Sequence, residues 1–283
     1  MFSNHYNNIN ISKSISLYLI VVNILIWIFL EILGNSKNPI SLIEFGALFG
    51  PFVSNGDYWR FFSSIFIHIG IIHLLFNQIA ILIFIRLNES IYGNLKLLII
   101  YIFSGLFANL LSYYLTPFNI SAGSSGAIFG IAGSYLAFLL YQKPKEPIEK
   151  RENLIGISII ILINLLYGIT DTRIDNWAHI GGLISGFIMG LLMLKIFNYQ
   201  TNLFIKMSLL IIIILTLLLN IHLRSYYLKH NISTYIFSAE IYIKTSNKEK
   251  ALYELISAKE IAYKNHDQSS LNKINNLIQS INK

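Results

Sequence analysis

The residues best suited to nucleophilic chemistry are the serines of Gly123-Ser124-Ser125-Gly126 and the histidine of Ala178-His179-Ile180-Gly181-Gly182. A serine hydroxyl becomes a useful nucleophile when a neighbouring base takes its proton, and imidazole does this near neutral pH. Each motif opens an apolar run. A serine placed there sits at a helix N-terminus, where free backbone N–H groups and the positive end of the helix dipole stabilise a developing oxyanion. Glycines follow both motifs, at Gly130 and Gly133 after the serines and at Gly186 after the histidine. Small residues three or four apart let helices approach closely, so the glycines taken alone are packing residues. If the two glycine faces meet, Ser125 and His179 come within hydrogen-bond reach as a nucleophile and its base.

A third polar group precedes them. His73 and Asn77 are four residues apart, which puts both on one helical face with two side-chain donors pointing the same way, and His68 lies just upstream. A single such residue would be a hydrogen-bonding contact between helices; a pair on one face points to function. Strongly polar side chains inside apolar segments cost several kcal/mol, roughly, unless satisfied. The histidines do not read as a metal site. His68 and His73 are five apart, no glutamate follows as in His-Glu-x-x-His, and cysteine is absent, so no metal and no cofactor is expected. The lack of cysteine also removes any disulfide framework or thiol nucleophile.

The elements that must position these residues are membrane helices. Of 283 residues 54% are hydrophobic and only 12% charged, a balance that excludes a soluble fold. Seven apolar runs approach the 20 or so residues that cross a bilayer: 14–33, 71–88, 96–115, 121–141, 153–169, 177–197 and 207–223. The first is too long for a signal peptide and lacks a small-residue cleavage site, so it is expected to remain a helix. Gln142 to Glu152, with Pro144 and Pro147, reads as a loop. Lys13, Arg86, Lys96, Lys143, Lys145, Lys150, Arg151, Lys195 and Lys206 fall on one side, against Lys37, Arg60 and Arg173 on the other. The positive-inside rule then puts the short N-terminus (1–13) in the cytoplasm and, after seven spans, the tail outside. The net charge of +7 is topological; its cations form no stripe and imply no nucleic acid.

Residues 34–70 are a long first connection rich in glycine and aromatics, expected to fold on the membrane surface and partly within it. Residues 226–283 are mixed in charge, with apolar residues at helical spacing through Ile256, Ile261, Ile274 and Ile278. They predict two or three soluble helices. Tyr235, Ala239, Tyr242, Ala251, Leu255 and Ala258 are spaced as in one tetratricopeptide repeat; an amphipathic hairpin packed on the membrane domain or on itself fits as well. The tail is a candidate for binding a protein partner, and catalysis is expected to persist without it.

Together these features resemble the rhomboid family of intramembrane proteases. Trp59-Arg60 lies in the long loop; His68, His73 and Asn77 follow; then come Gly123-Ser124-Ser125-Gly126 and Ala178-His179-Ile180-Gly181-Gly182, in order over about 14–197. The resemblance implies an all-α polytopic membrane protein with a six-helix rhomboid core, to which 207–223 adds a seventh transmembrane helix and 226–283 a small helical soluble tail. It implies that Ser125, chosen over Ser124 by motif register, attacks the scissile carbonyl while His179 acts as base. Asp175, four residues before His179, matches no functional position of the family. His73, Asn77 and the Ser125 backbone N–H would form the oxyanion hole. Gly123 and Gly182 would bring the fourth and sixth spans together, with Gly126 and Gly186 supporting them. Trp59 and Arg60 would anchor the loop, and His68 would be structural. Where the family often has a tyrosine four residues after the nucleophile, this chain has Phe129, which keeps the ring against the histidine. The implied substrates are transmembrane proteins in the lipid bilayer, probed from an integral protein of the cell membrane whose site opens to the outer side. A rhomboid-like pseudoprotease would lack the Ser or the His, and both are present; a transporter would show repeated halves, and none match.

Overall fold

The computed structural model describes residues 14–141, 147–171, 174–196 and 218–281. Among these the chain is helical, with one isolated antiparallel bridge between Leu48 and Ser121. Helix α1 (Ile15–Leu33) is capped by the Ser14 side chain, which accepts from the Ser16 N–H at 3.2 Å. The long first loop folds into three short helices, α2 (Pro39–Glu44), α3 (Gly50–Ser54) and α4 (Arg60–Ser63). Then follow α5 (Gly70–Tyr92), α6 (Asn94–Leu115), α7 (Ser125–Tyr141), α8 (Pro147–Thr170) and α9 (Asn176–Ile196). Five of these, α1, α5, α6, α8 and α9, are long and apolar enough to cross a membrane. The chain is an integral membrane protein.

Helix α7 is the exception, with 17 residues. At about 1.5 Å per residue it spans roughly 25 Å, short of the hydrocarbon thickness of about 30 Å. Twelve of its residues are buried, so protein rather than lipid surrounds it and the bilayer does not dictate its length. It packs most extensively against α9, and α6 packs against both.

Several expected boundaries move; α5, expected to end near Asn88, runs on to Tyr92. The fourth span was expected from Ser121 but starts at Ser125, because Ser121 exchanges backbone hydrogen bonds with Leu48 (2.9 and 3.0 Å). The loop expected over 142–152 ends early, since α8 begins at Pro147. Proline suits a first helical position, and Glu149 favours the positive end of the dipole. Hydropathy marks the part of a helix that lies in lipid, and the polar turns Glu149 to Glu152 project beyond it. The N-terminal 1–13 lies outside the described residues, as does the seventh span up to 217; residues 218–229 form helix α10.

The tail consists of α11 (Ile232–Lys244), α12 (Lys248–Lys264) and α13 (Gln268–Ile281), with Asn231 and Asn247 capping the first two. Ala239, Ala251, Leu255 and Ala258 are fully buried where α11 and α12 cross, so small side chains set that close approach. Ile256, expected on the apolar face, is 55% exposed. The trio seats on the first loop. Tyr242 stacks on Phe52 at 5.4 Å, and Phe237 meets Phe118 at 5.2 Å. The Asn55 amide donates to Glu254 at 3.4 Å.

Burial pushes the Glu254 carboxyl up from 4.5 to about 7. The raised folded value means its contribution is fully present below 4.5 and is lost as pH rises through about 7. Seating of the tail is therefore expected to weaken as pH rises from 4.5 to about 7, and Glu254→Gln to flatten that dependence. Limited proteolysis of the tail across this range checks it; equal pH dependence in both proteins would refute it.

Candidate active site

The site forms where the starts of α5, α7 and α9 meet beneath the first loop. Glycines bring the last two together. A Cβ built on Gly182 would lie 1.9 Å from the Gly126 carbonyl oxygen, and one on Gly186 would lie 2.0 Å from that of Gly130. No residue with a side chain fits either contact. His179 rides one turn before Gly182, and its Nε2 lies 2.9 Å from Ser125 Oγ. Its ring stacks on Phe129, with centroids 4.2 Å apart and planes within 8°. The Nδ1 atom is buried without a hydrogen-bond partner among the described residues.

The adjacent serine has a different environment. Ser124 is fully buried; its hydroxyl donates to Asn77 Oδ1 at 3.1 Å and lies 3.1 Å from His68 Nε2. His68 Nδ1 faces the Phe66 carbonyl at 3.1 Å, while the Ser124 N–H points at Nε2 from 3.4 Å. The proton therefore sits on Nδ1, and His68 is a neutral tie between the loop and the serine turn. Ser125 is half-buried and sits beside the imidazole of α9. The two serines thus face opposite partners.

His73 lies across from them on α5. The Ile69 N–H donates to its Nδ1 at 3.3 Å, which leaves the proton on Nε2 as a free donor. That edge faces Gly123, where a Cβ would come within 2.6 Å of His73 Cε1 and 3.0 Å of Nε2, and where φ is +137°. This corrects the expected role of Gly123. It makes room for His73 and turns the chain into α7; the approach of α7 to α9 belongs to Gly126 and Gly182. The Asn77 amide donates to the His73 carbonyl at 2.8 Å, one of its two N–H bonds.

The first loop is held from within. Arg60 donates to the carbonyls of Ile43 (2.5 Å) and Ala47 (3.1 Å), pairs with Asp57 at 3.0 Å, and lies over the rings of Trp59 and Phe52. Trp59 packs against Gly46, where a Cβ would lie 2.4 Å from the indole. The loop is stitched to the serine turn by the Leu48–Ser121 bridge and by the Gly123 N–H to Ser64 carbonyl bond of 2.9 Å. Two residues here escaped the reading of the sequence. Asn109 of α6 donates to the Phe61 carbonyl and to Ser64 Oγ, each at 2.8 Å, and Ser112 bonds Asp175. Their signal was available, since both are polar residues inside an apolar span. Among the described residues no cluster of His, Cys, Asp or Glu could hold a metal.

A half-buried serine at a helix start, an imidazole on its hydroxyl, and free N–H donors alongside define a site equipped for acyl transfer inside a polytopic helical membrane protein. The chain belongs to the rhomboid family: the Rhomboid domain model matches residues 55–196. It is 30% identical over 193 residues to the putative rhomboid protease YdcA of Bacillus subtilis, spanning 92% of that protein and 65% of this chain. With rhomboid-like protease 3 of Toxoplasma gondii it shares 34% over 187 residues, 69% of that protein and 64% of this chain. With rhomboid protease GluP of Bacillus subtilis it shares 39% over 168 residues, 59% of this chain but 32% of that protein. The match to GluP therefore spans about a third of that relative's length.

Proposed function

We propose that the chain is an intramembrane serine endopeptidase that cleaves transmembrane proteins through a Ser125–His179 dyad and an acyl-enzyme. The 2.9 Å approach of His179 Nε2 to Ser125 Oγ carries the reading. His179 takes the Ser125 proton as the hydroxyl attacks the scissile carbonyl, and the C–N bond breaks as the imidazolium returns that proton to the leaving amine. Water, deprotonated by the same imidazole, then hydrolyses the ester. The tetrahedral oxyanion is stabilised by His73 Nε2–H, Asn77 Nδ2–H and the Ser125 backbone N–H, which as a first-turn group has no intrahelical acceptor. The short α7 leaves Ser125 recessed from the membrane surface, within reach of water from the side where the first loop lies. By the charge bias of the loops that side is outside, with the N-terminus cytoplasmic, the tail external and the protein in the cell membrane. A substrate helix must unwind near its outer end to present a bond there.

The reading is tested by supplying the purified full chain in detergent with a transmembrane substrate and following cleavage at a defined bond. A chain that binds the substrate and never cuts it would be a pseudoprotease. Within the active enzyme, His73→Ala and Asn77→Ala are each expected to lower kcat by about 10²- to 10³-fold, as for other oxyanion donors. Unchanged kcat in both variants would remove these residues from the mechanism.

A further inference from the structure

His179 has few holds on its own position. Nε2 contacts Ser125, Nδ1 has no partner among the described residues, and the ring rests on Phe129. Among the described residues no side-chain acid bonds to the ring. Where the ring stands is therefore decided by where the first turn of α9 stands, and that turn is tied by Asp175. Its Oδ1 accepts from the Ala178 N–H at 3.0 Å, as an N-cap does, and its backbone carbonyl accepts from the His179 N–H at 3.1 Å. Its other oxygen, Oδ2, accepts from Ser112 Oγ of α6 at 2.5 Å, and Ser112 is buried. One carboxylate thus joins the residue before the base, through the helix cap, to the neighbouring span.

Resting on the proposed dyad, we infer that Asp175, with Ser112, is a positioning residue for His179. The pair locks the start of α9 to α6 and so holds Nε2 in line with the Ser125 hydroxyl. Asp175 touches no reacting atom. Its effect is on the fraction of time the base is in place, and a displacement of about 1 Å at a reacting group costs on the order of 100-fold. An asparagine retains an oxygen for the cap and a polar group for Ser112; an alanine retains neither.

The test compares Asp175→Ala, Asp175→Asn and Ser112→Ala in the full chain in detergent, measuring kcat and KM on a transmembrane substrate together with thermal unfolding. Asp175→Ala is expected to lower kcat by about 10- to 100-fold with KM within about twofold. Asp175→Asn should recover to within about threefold of the parent and Ser112→Ala should fall between, because the amide restores the cap. Wild-type kcat in both Asp175→Ala and Ser112→Ala overturns the inference, as does an Asn variant as impaired as the Ala variant, which would assign the effect to charge. If Asp175→Ala does not fold, the Asn and Ser112 variants decide alone. Failure of the underlying reading looks different, for then the parent protein itself does not cut.

Discussion

Replacing Ser125 with alanine is expected to reduce cleavage by on the order of 10⁴-fold or more and to abolish labelling by a fluorophosphonate, while Ser124→Ala keeps both. The two hydroxyls are neighbours in the chain, yet Ser125 is oriented to the α9 imidazole and Ser124 to His68 and Asn77. Alanine at 125 removes the attacking oxygen, and among the described residues no other hydroxyl bonds to the His179 imidazole. Alanine at 124 instead strips a partner from two buried groups, a loss of about 1–3 kcal/mol in stability. Some of that cost would reach the reaction through Asn77, so a modest fall in kcat accompanies it. Rate measurements on the two variants, with thermal unfolding alongside, separate the roles. Cleavage lost in Ser124→Ala and kept in Ser125→Ala would reverse the assignment.

The largest structural effect is expected at Gly182. Valine there would drive its Cβ to 1.9 Å from the Gly126 carbonyl oxygen, a backbone atom that cannot swing aside. Relief requires α7 and α9 to separate, which breaks the Gly186–Gly130 contact as well and opens the distance between Ser125 and His179. A destabilisation of about 3 kcal/mol or more is expected, at the upper end of overpacking costs. Gly156→Ala makes a suitable control, since a Cβ at that position meets nothing within 4 Å and alanine favours a helix interior. Unfolding in detergent followed by denaturant titration should show a clearly lowered midpoint for Gly182→Val, with Gly156→Ala at least as stable as the parent. Equal stability of Gly182→Val and the parent would contradict the packing described for the two helices.

Much of this architecture could be read from residue types. Apolar runs found the long helices because bilayer thickness sets their length, and Gly182 and Gly186 announced close packing because nothing larger fits. Hydropathy says less where protein replaces lipid or where water begins. It placed the start of α7 four residues early, at Ser121, whose partner Leu48 lies 73 positions away in the chain. It cut α8 short at the charged turn Glu149 to Glu152. Within the site, the spacing of His73 and Asn77 brought out a shared face, but it could not show that the Ile69 N–H sets the His73 tautomer. Asp175 illustrates the same limit. In the sequence it is an acid four residues before a histidine; only the approach of Ser112 from α6 reveals what it holds. The seating of the tail on Phe52 was equally hidden, since aromatic residues in two distant segments carry no mark of mutual contact.

If the hydroxyl facing His179 is the nucleophile, the covalent bond to a serine-directed reagent forms on Ser125. The full chain, labelled with a fluorophosphonate in detergent and digested, is analysed by peptide mass mapping. A single adduct on Ser125, absent when His179 is replaced by alanine, is the predicted result. An adduct on Ser124, or substrate cleavage by a protein that carries no adduct on Ser125 after exhaustive labelling, would contradict it.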